Sequence, residues 1–245
     1  MLFFDYHLRT KTKKQRGDVM SKINLKRDCK LNEELGGYYN SAGKRYIGVT
    51  ALIKPWYKEF DALKVAKDLE ERYGKPAEEY LEEWAFSAKE GERIHADINK
   101  AAQTGESAEI NAYISYLGSR KAFTEQLVYD EESMVMGNID LLTVGGGRVV
   151  ITDWKTNKRL RFEGRGEKDR LKAPFDMFYD CNFNHYVLQL NCYRELVLRQ
   201  IGRQAEMKIV HVKERGEGGY ELQAYEVEHV DVSVIFDAAR LEFGV

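Results

Sequence analysis

Cysteine and proline are both scarce, with three of each in 245 residues. Cys29, Cys181 and Cys192 are too few and too scattered for a cysteine-based zinc site or a four-cysteine iron–sulfur cluster. They also form no close-spaced disulfide framework, so a reducing, intracellular compartment is the expectation. So few prolines, and no low-complexity tract, argue against long disordered linkers. Long apolar runs are missing too, so no segment reads as a membrane span. At the N-terminus Met1-Leu2-Phe3-Phe4 is followed at once by polar residues, which leaves no signal-peptide core. Charge of one sign is lacking as well: 38 Lys and Arg stand against 40 Asp and Glu. An even balance excludes only a uniformly basic surface, because charge can be segregated along a chain.

What is present is an ordinary globular composition, 43% hydrophobic and 12% aromatic, at a length that suits one large domain. Two basic clusters stand out. Arg9, Lys11, Lys13, Lys14, Arg16, Lys22, Lys26, Arg27 and Lys30 fall within a polar, weakly periodic stretch, read as a basic tail or arm over residues 1–36. Lys155, Lys158, Arg159, Arg161, Arg165, Lys168, Arg170 and Lys172 make the second. Either can track phosphates, although for each taken alone a solvated tail or loop is the better explanation.

The remaining residues, 37–245, read as a single α/β domain. Residues 46–53 are apolar and β-branched, an extended piece leading into helix at Thr50. A charged helical region runs over about 56–105, broken at Gly74-Lys75-Pro76 and resumed in a further helix over 91–102 that stripes Ile94, Ile98 and Ala101. The pattern changes in the expected catalytic core, about 120–245. A strand over 125–129 precedes a hairpin of 134–144 and 148–155 that turns on glycines. Residues 157–183 read as a long loop with a short helical piece. A helix over 184–200, two strands over 207–212 and 220–227, and a closing helix from Asp231 follow.

The chemistry concentrates in the hairpin. Asp153 and Lys155 are two apart on a strand, so both side chains leave one face while Trp154 leaves the other. With the turn near Gly146 and Gly147, Asp140 falls opposite Asp153 or one residue off. Facing residues have Cβ atoms about 4.5–5.5 Å apart, where two carboxylates repel. A divalent cation such as Mg²⁺, which takes oxygen ligands, is the simplest reason for such a pair. A surface ion pair would explain Asp153 and Lys155 alone, but not Asp140 across the hairpin with apolar residues flanking both acids.

Gly137-Asn138-Ile139-Asp140 followed by Ile151-Thr152-Asp153-Trp154-Lys155 resembles the catalytic core of the PD-(D/E)XK nucleases, and within them the RecB-like exonuclease branch. Gly91-Glu92-Arg93-Ile94-His95 is similar to that branch's G-x-x-x-H helix, and Gln189-Leu190-Asn191-Cys192-Tyr193 to its Q-x-x-x-Y helix. The pieces occur in the family's order over about residues 46–200. Ile139 replaces the proline of the name, and the four cysteines of the iron–sulfur relatives are missing, which leaves the stand-alone phage-type and mitochondrial-maintenance-type forms.

The resemblance implies a restriction-endonuclease-like core, a central mixed sheet flanked by helices. It implies Asp140 and Asp153 as ligands of one or two Mg²⁺ or Mn²⁺ ions, with the Trp154 carbonyl and His95 as further ligands and Lys155 as the catalytic lysine. Gln189 and Tyr193 would brace the site or contact DNA, and Glu125 would be a strand acid beside it. The implied activity is metal-dependent cleavage of DNA ends or single strands in replication, recombination or repair, in the cytoplasm, nucleoid or mitochondrion, with a recombination or replication protein as a conceivable partner and no membrane. A non-catalytic DNA-binding module, or an endonuclease or RNase on the same fold, is the alternative. Tyr80 and Trp84 could stack on bases, although core packing is the more ordinary expectation for each.

Overall fold

A computed structural model describes residues 28–118, 121–216 and 219–243. Most of the basic arm, residues 1–27, lies outside the described residues. Strands β1 (Lys30–Asn32) and β2 (Gly37–Tyr39) form a small hairpin. They lead to β3 (Ile47–Gly48), a single turn α1 (Val49–Leu52) and a 3₁₀ turn (Lys54–Trp56). Helices α2 (Ala62–Tyr73), α3 (Ala77–Thr104) and α4 (Ala108–Tyr116) follow. Then come β4 (Lys121–Asp130), β5 (Val135–Gly145), β6 (Arg148–Lys155), α5 (Asn182–Ile201), β7 (Glu206–Glu214), β8 (Tyr220–Val227) and α6 (Ser233–Phe243).

The strands assemble into one mixed sheet in the order β4-β5-β6-β7-β8, with β3 beside the start of β5. Neighbours are antiparallel except β3–β5 and β6–β7, which are parallel. The β6–β7 step needs a crossover, and α5 supplies it. Helices cover both faces, as the sequence predicts for an α/β domain. On one face α5 and α6 place Leu188, Leu196, Ile235 and Phe236 against Leu142, Val149, Ile151 and Ile209. On the other, Ile98 of α3 and Ile110 and Tyr113 of α4 meet Leu141, Val150, Trp154 and Val210. Alternate residues of β6 therefore face opposite layers, and Trp154 is fully buried with its ring edge-on to Tyr113 at 5.4 Å. Truncating such a ring costs about 3–5 kcal/mol, so Trp154 anchors the strand that carries Asp153 and Lys155.

Several expectations need correction. The arm reading fails over residues 28–36, where Cys29 is buried and β1 begins. Gly36 and Gly37 there take positive φ and close a polar hairpin that has no apolar alternation to announce it. The helix foreseen over 91–102 is the second half of the single helix α3, because Gly91 is accommodated inside it. Helix α4 is an addition. Within 157–181 no helix forms; the segment is held instead by an isolated bridge between Arg170 and Tyr179 and by Asp169 and Asp180, which engage Lys58. No helix among the described residues is long and apolar enough to cross a membrane.

Candidate active site

The ladder between β5 and β6 runs from Gly145–Arg148 to Leu141–Thr152 and stops. Beyond it β6 continues beside β7 as far as Lys155–His211, so β5 and β6 part company at the next level, that of Asp140 and Asp153. There the Trp154 amide donates to Asp140 Oδ2 at 2.8 Å instead of to a strand carbonyl. The β4–β5 ladder skips a pair at the same level: Thr124–Leu141 and Gln126–Ile139 flank Glu125 and Asp140, which do not pair. Glu125 sits at φ 49°, in a region a non-glycine residue enters at a cost of about 1–3 kcal/mol. Irregularity in two ladders at one level leaves Glu125 and Asp140 unpaired, beside Asp153 on the strand that diverges from β5.

Asp153 is 2% exposed. Its Oδ2 lies 2.6 Å from Lys155 Nζ, in an alignment short of a hydrogen bond, and has no other partner. Asp140 has a side chain 13% exposed. Burial, and then the neighbouring Asp153 charge, push its carboxyl well above the usual carboxylate range, against the opposing pull of Lys155. For Lys155 burial works against the charged form, but the Asp153 and Asp140 carboxylates outweigh it and hold the amine above its ordinary value.

Two helices close the site. On α3, His95 Nδ1 lies 3.7 Å from Asp140 Oδ2. Burial lowers the imidazole's pKa, with the Asp153 charge opposing, so the ring tends to the neutral form that binds metals. The Trp154 backbone, close to the same ring, opposes that lowering. Close approach of α3 depends on Gly91, where a Cβ would come within 2.8 Å of Thr156 Oγ1. On α5, Gln189 Oε1 accepts from Lys155 Nζ at 3.4 Å while its amide donates to Tyr193 Oη at 2.8 Å. Tyr193 packs over Gly137, where a Cβ would stand 2.4 Å from ring Cε1. The glycines of both sequence motifs thus mark places where a helix comes within contact of a strand end.

His95, Asp140, Asp153, Trp154, Lys155, Gln189 and Tyr193 are therefore brought together, and Glu125 joins them at the rim of one cleft with Asp140 and His95. Three neighbours escaped the sequence reading. Tyr186 places its ring 4.2 Å from Lys155 Nζ and donates to Asn157 Oδ1 at 2.7 Å. Its spacing with Gln189 and Tyr193, three and then four residues, was a visible helical stripe. Asn99 and Asn138 both donate to the Glu125 carboxylate, a link that no local pattern announces. Tyr80 and Trp84 lie outside the core clusters.

Among the described residues no three His, Cys, Asp or Glu side chains yet converge on one point. Asp153 leans on Lys155, and Glu125 on the two asparagines. The donor set nevertheless fits a small, hard divalent cation. Two neighbouring, largely buried carboxylates repel each other, and an imidazole that favours its neutral form stands beside them.

No curated protein matches the chain. Among solved structures, it is similar to SSO0001, with TM-score 0.41 and 16% identity over 93% of this chain and 84% of that one. It is also similar to a candidate exonuclease from Eubacterium rectale, with TM-score 0.38 and 13% identity over 86% and 83% of the two chains. Neither likeness adds to the argument. The family match does: residues 51–240, from within α1 to within α6, fit the PD-(D/E)XK nuclease superfamily, and the chain belongs to that superfamily.

Proposed function

We propose that this protein is a divalent-metal-dependent deoxyribonuclease that acts on DNA ends or single strands, with Asp140, Asp153 and Lys155 at its centre. The observation that carries the reading is the pair of carboxylates, Asp153 buried and Asp140 nearly so, at the level where β5 and β6 part, with the Lys155 ammonium against only one of them. Burying two like charges side by side is costly unless a cation joins them. Asp140 and Asp153 would hold Mg²⁺ or Mn²⁺, with His95 and the Trp154 backbone as further contacts. Glu125, held by Asn99 and Asn138 on the same cleft, would add negative charge beside it. The metal supplies Lewis-acid polarisation of the phosphate and a more acidic water.

The chain's own groups do the rest. Lys155 stays a cation between Asp153, the Gln189 carbonyl oxygen and the Tyr186 ring. From there its Nζ can donate to a phosphoryl oxygen and offset the charge that builds on it. Gln189, tied to Tyr193, fixes where that ammonium points. Trp154, buried on the other face, keeps strand β6 from sliding. The Trp154 amide holds Asp140 by one oxygen, leaving the other for a ligand. A purely binding module has no use for a half-buried lysine steered in this way.

The test is cleavage of end-labelled single-stranded, blunt duplex and closed circular DNA with Mn²⁺, Mg²⁺ or EDTA. Metal-dependent loss of linear DNA, with circles spared and Lys155→Ala inert although still able to bind, is the expected result. Cutting of circles would make it an endonuclease. A Lys155→Ala chain that cuts at the wild-type rate would refute the assignment of the site.

A further inference from the structure

Helix α3 is 28 residues long, yet only its second half packs on the sheet, through Ile94, Ile98, Ala101 and Ala102. The first half stands beside α2, whose one buried residue is Ala66. Here apolar rings gather away from the core. Phe60 and Trp84 have centroids 5.6 Å apart, Tyr80 and Trp84 6.3 Å, and neither pair stacks face to face. Phe60 and Phe86 are 61% and 66% exposed. Exposed aromatics in a group mark a binding surface more often than chance. Trp84 and Phe86 line the same cleft of about 1630 Å³ as His95 and Asp140. Positions 84, 88, 91 and 95 form one helical stripe, and at 1.5 Å per residue Trp84 lies about 16 Å along the axis from His95.

The charge on that wall selects among nucleic acids. Glu82, Glu83, Glu90 and Glu92 line the cleft beside the rings, with Lys75 paired to Glu83 and Arg93 to Glu90. A duplex presents phosphates along its whole outer surface, so Glu82 and Glu92 repel it. A single strand can turn its phosphates away, toward Lys158 on the segment after β6. It then offers base faces to the rings and amino edges to the carboxylates.

We propose that Phe60, Tyr80 and Trp84 form a base-stacking station for single-stranded DNA. It would receive the unpaired strand no more than about five nucleotides from the reacting phosphate, at about 3.4 Å per stacked nucleotide. The proposal rests on the nuclease reading, because it takes Asp140 and Asp153 as the place where the strand is cut.

The experiment uses the full chain. Lys155→Ala protein with Mn²⁺ binds oligonucleotides that carry one 5-iodouracil, moved stepwise from either end, and irradiation is followed by peptide mapping. Adducts on Trp84, Tyr80 or Phe60, confined to bases within about five nucleotides of one end, are expected. Affinities for single strands and blunt duplexes are measured in parallel. Trp84→Ala is expected to weaken single-strand binding about tenfold, with most of it restored in Trp84→Phe and duplex binding unmoved. Equal losses on both substrates, or adducts only elsewhere, would overturn the station. If Trp84→Ala binds and the otherwise wild-type Trp84→Ala enzyme cuts single strands as before, the station falls and the nuclease reading stands. A wild-type chain that neither binds nor cuts DNA with Mn²⁺ removes both.

Discussion

Gly137 offers the sharpest physical test of how the site is built. Its φ is not in the left-handed region, so conformational freedom is not what the position requires. Space is: an added Cβ would meet Tyr193 at 2.4 Å to Cε1 and 2.7 Å to Cδ1, and Val49 Cγ2 at 3.5 Å. Tyr193 is 4% exposed and cannot swing outward freely. In Gly137→Ala either the ring or strand β5 must shift, and overpacking of this kind costs about 1–3 kcal/mol. A shift of the ring also breaks the 2.8 Å bond from Gln189, worth about 1 kcal/mol. The sum, about 2–4 kcal/mol, lowers Tm by about 5–15 °C in a chain of this size. Thermal melts by circular dichroism read the shift, and a cleavage assay reads the loss of Lys155 steering through Gln189. The control is the double variant. With Tyr193→Ala already in place the methyl enters the void left by the ring, so Gly137→Ala should cost almost nothing further. A Gly137→Ala melt within about 1 °C of wild type, or equal costs in both backgrounds, would refute the close-contact account.

Asp140→Asn tests the buried acid. The Asp140 carboxyl is raised, by burial first and Asp153 second. Folded protein therefore binds its proton more tightly than the unfolded chain does. In EDTA the stability it supports is greatest at low pH and is lost as pH rises from the ordinary Asp range of about 3.9 through the raised value. Asp140→Asn should then melt higher than wild type in EDTA at neutral pH, and should lose the upward Mn²⁺ shift; a lower melt with the shift retained would place the cation elsewhere. Gly91→Ala pushes a methyl to 2.8 Å from Thr156 Oγ1 and so lifts His95 from Asp140. Cleavage is expected to drop about tenfold or more, with Tm moved by no more than about 4 °C, and Thr156→Ala in the same chain to restore most of the rate. No rescue would mean that Gly91 serves another purpose.

The hairpin was legible in the sequence because its signals are local. Gly146 and Gly147 fix the turn, alternation fixes the faces, and together they bring Asp140 level with Asp153. Its order with the two helix motifs sufficed for the fold class. What stayed hidden depends on tertiary contacts. Glu125 reads as any strand acid until its positive φ, the skipped pair with Asp140 and the two asparagines are seen. Helix α4 is short, and its buried Ile110 and Tyr113 make too brief a stripe to declare a helix. The continuity of α3 through Gly91 ran against the penalty a glycine carries inside a helix, a penalty that close approach to Thr156 outweighs. The segment 157–181 is tied by carboxylates reaching across the chain to Lys58, which no periodicity records.

The β5–β6 turn has a practical side. Gly146 and Gly147 are exposed, and a Cβ at Gly146 would touch nothing within 4 Å. Six residue steps of extended strand, about 20 Å, separate that turn from Asp140. A short insertion there would give a point of attachment for a surface or a bead, at the far end of the hairpin from the three acids. Held by that handle, the protein would keep its cleft free of the support, and any cleavage by a single immobilised molecule could be timed without a label near the acids.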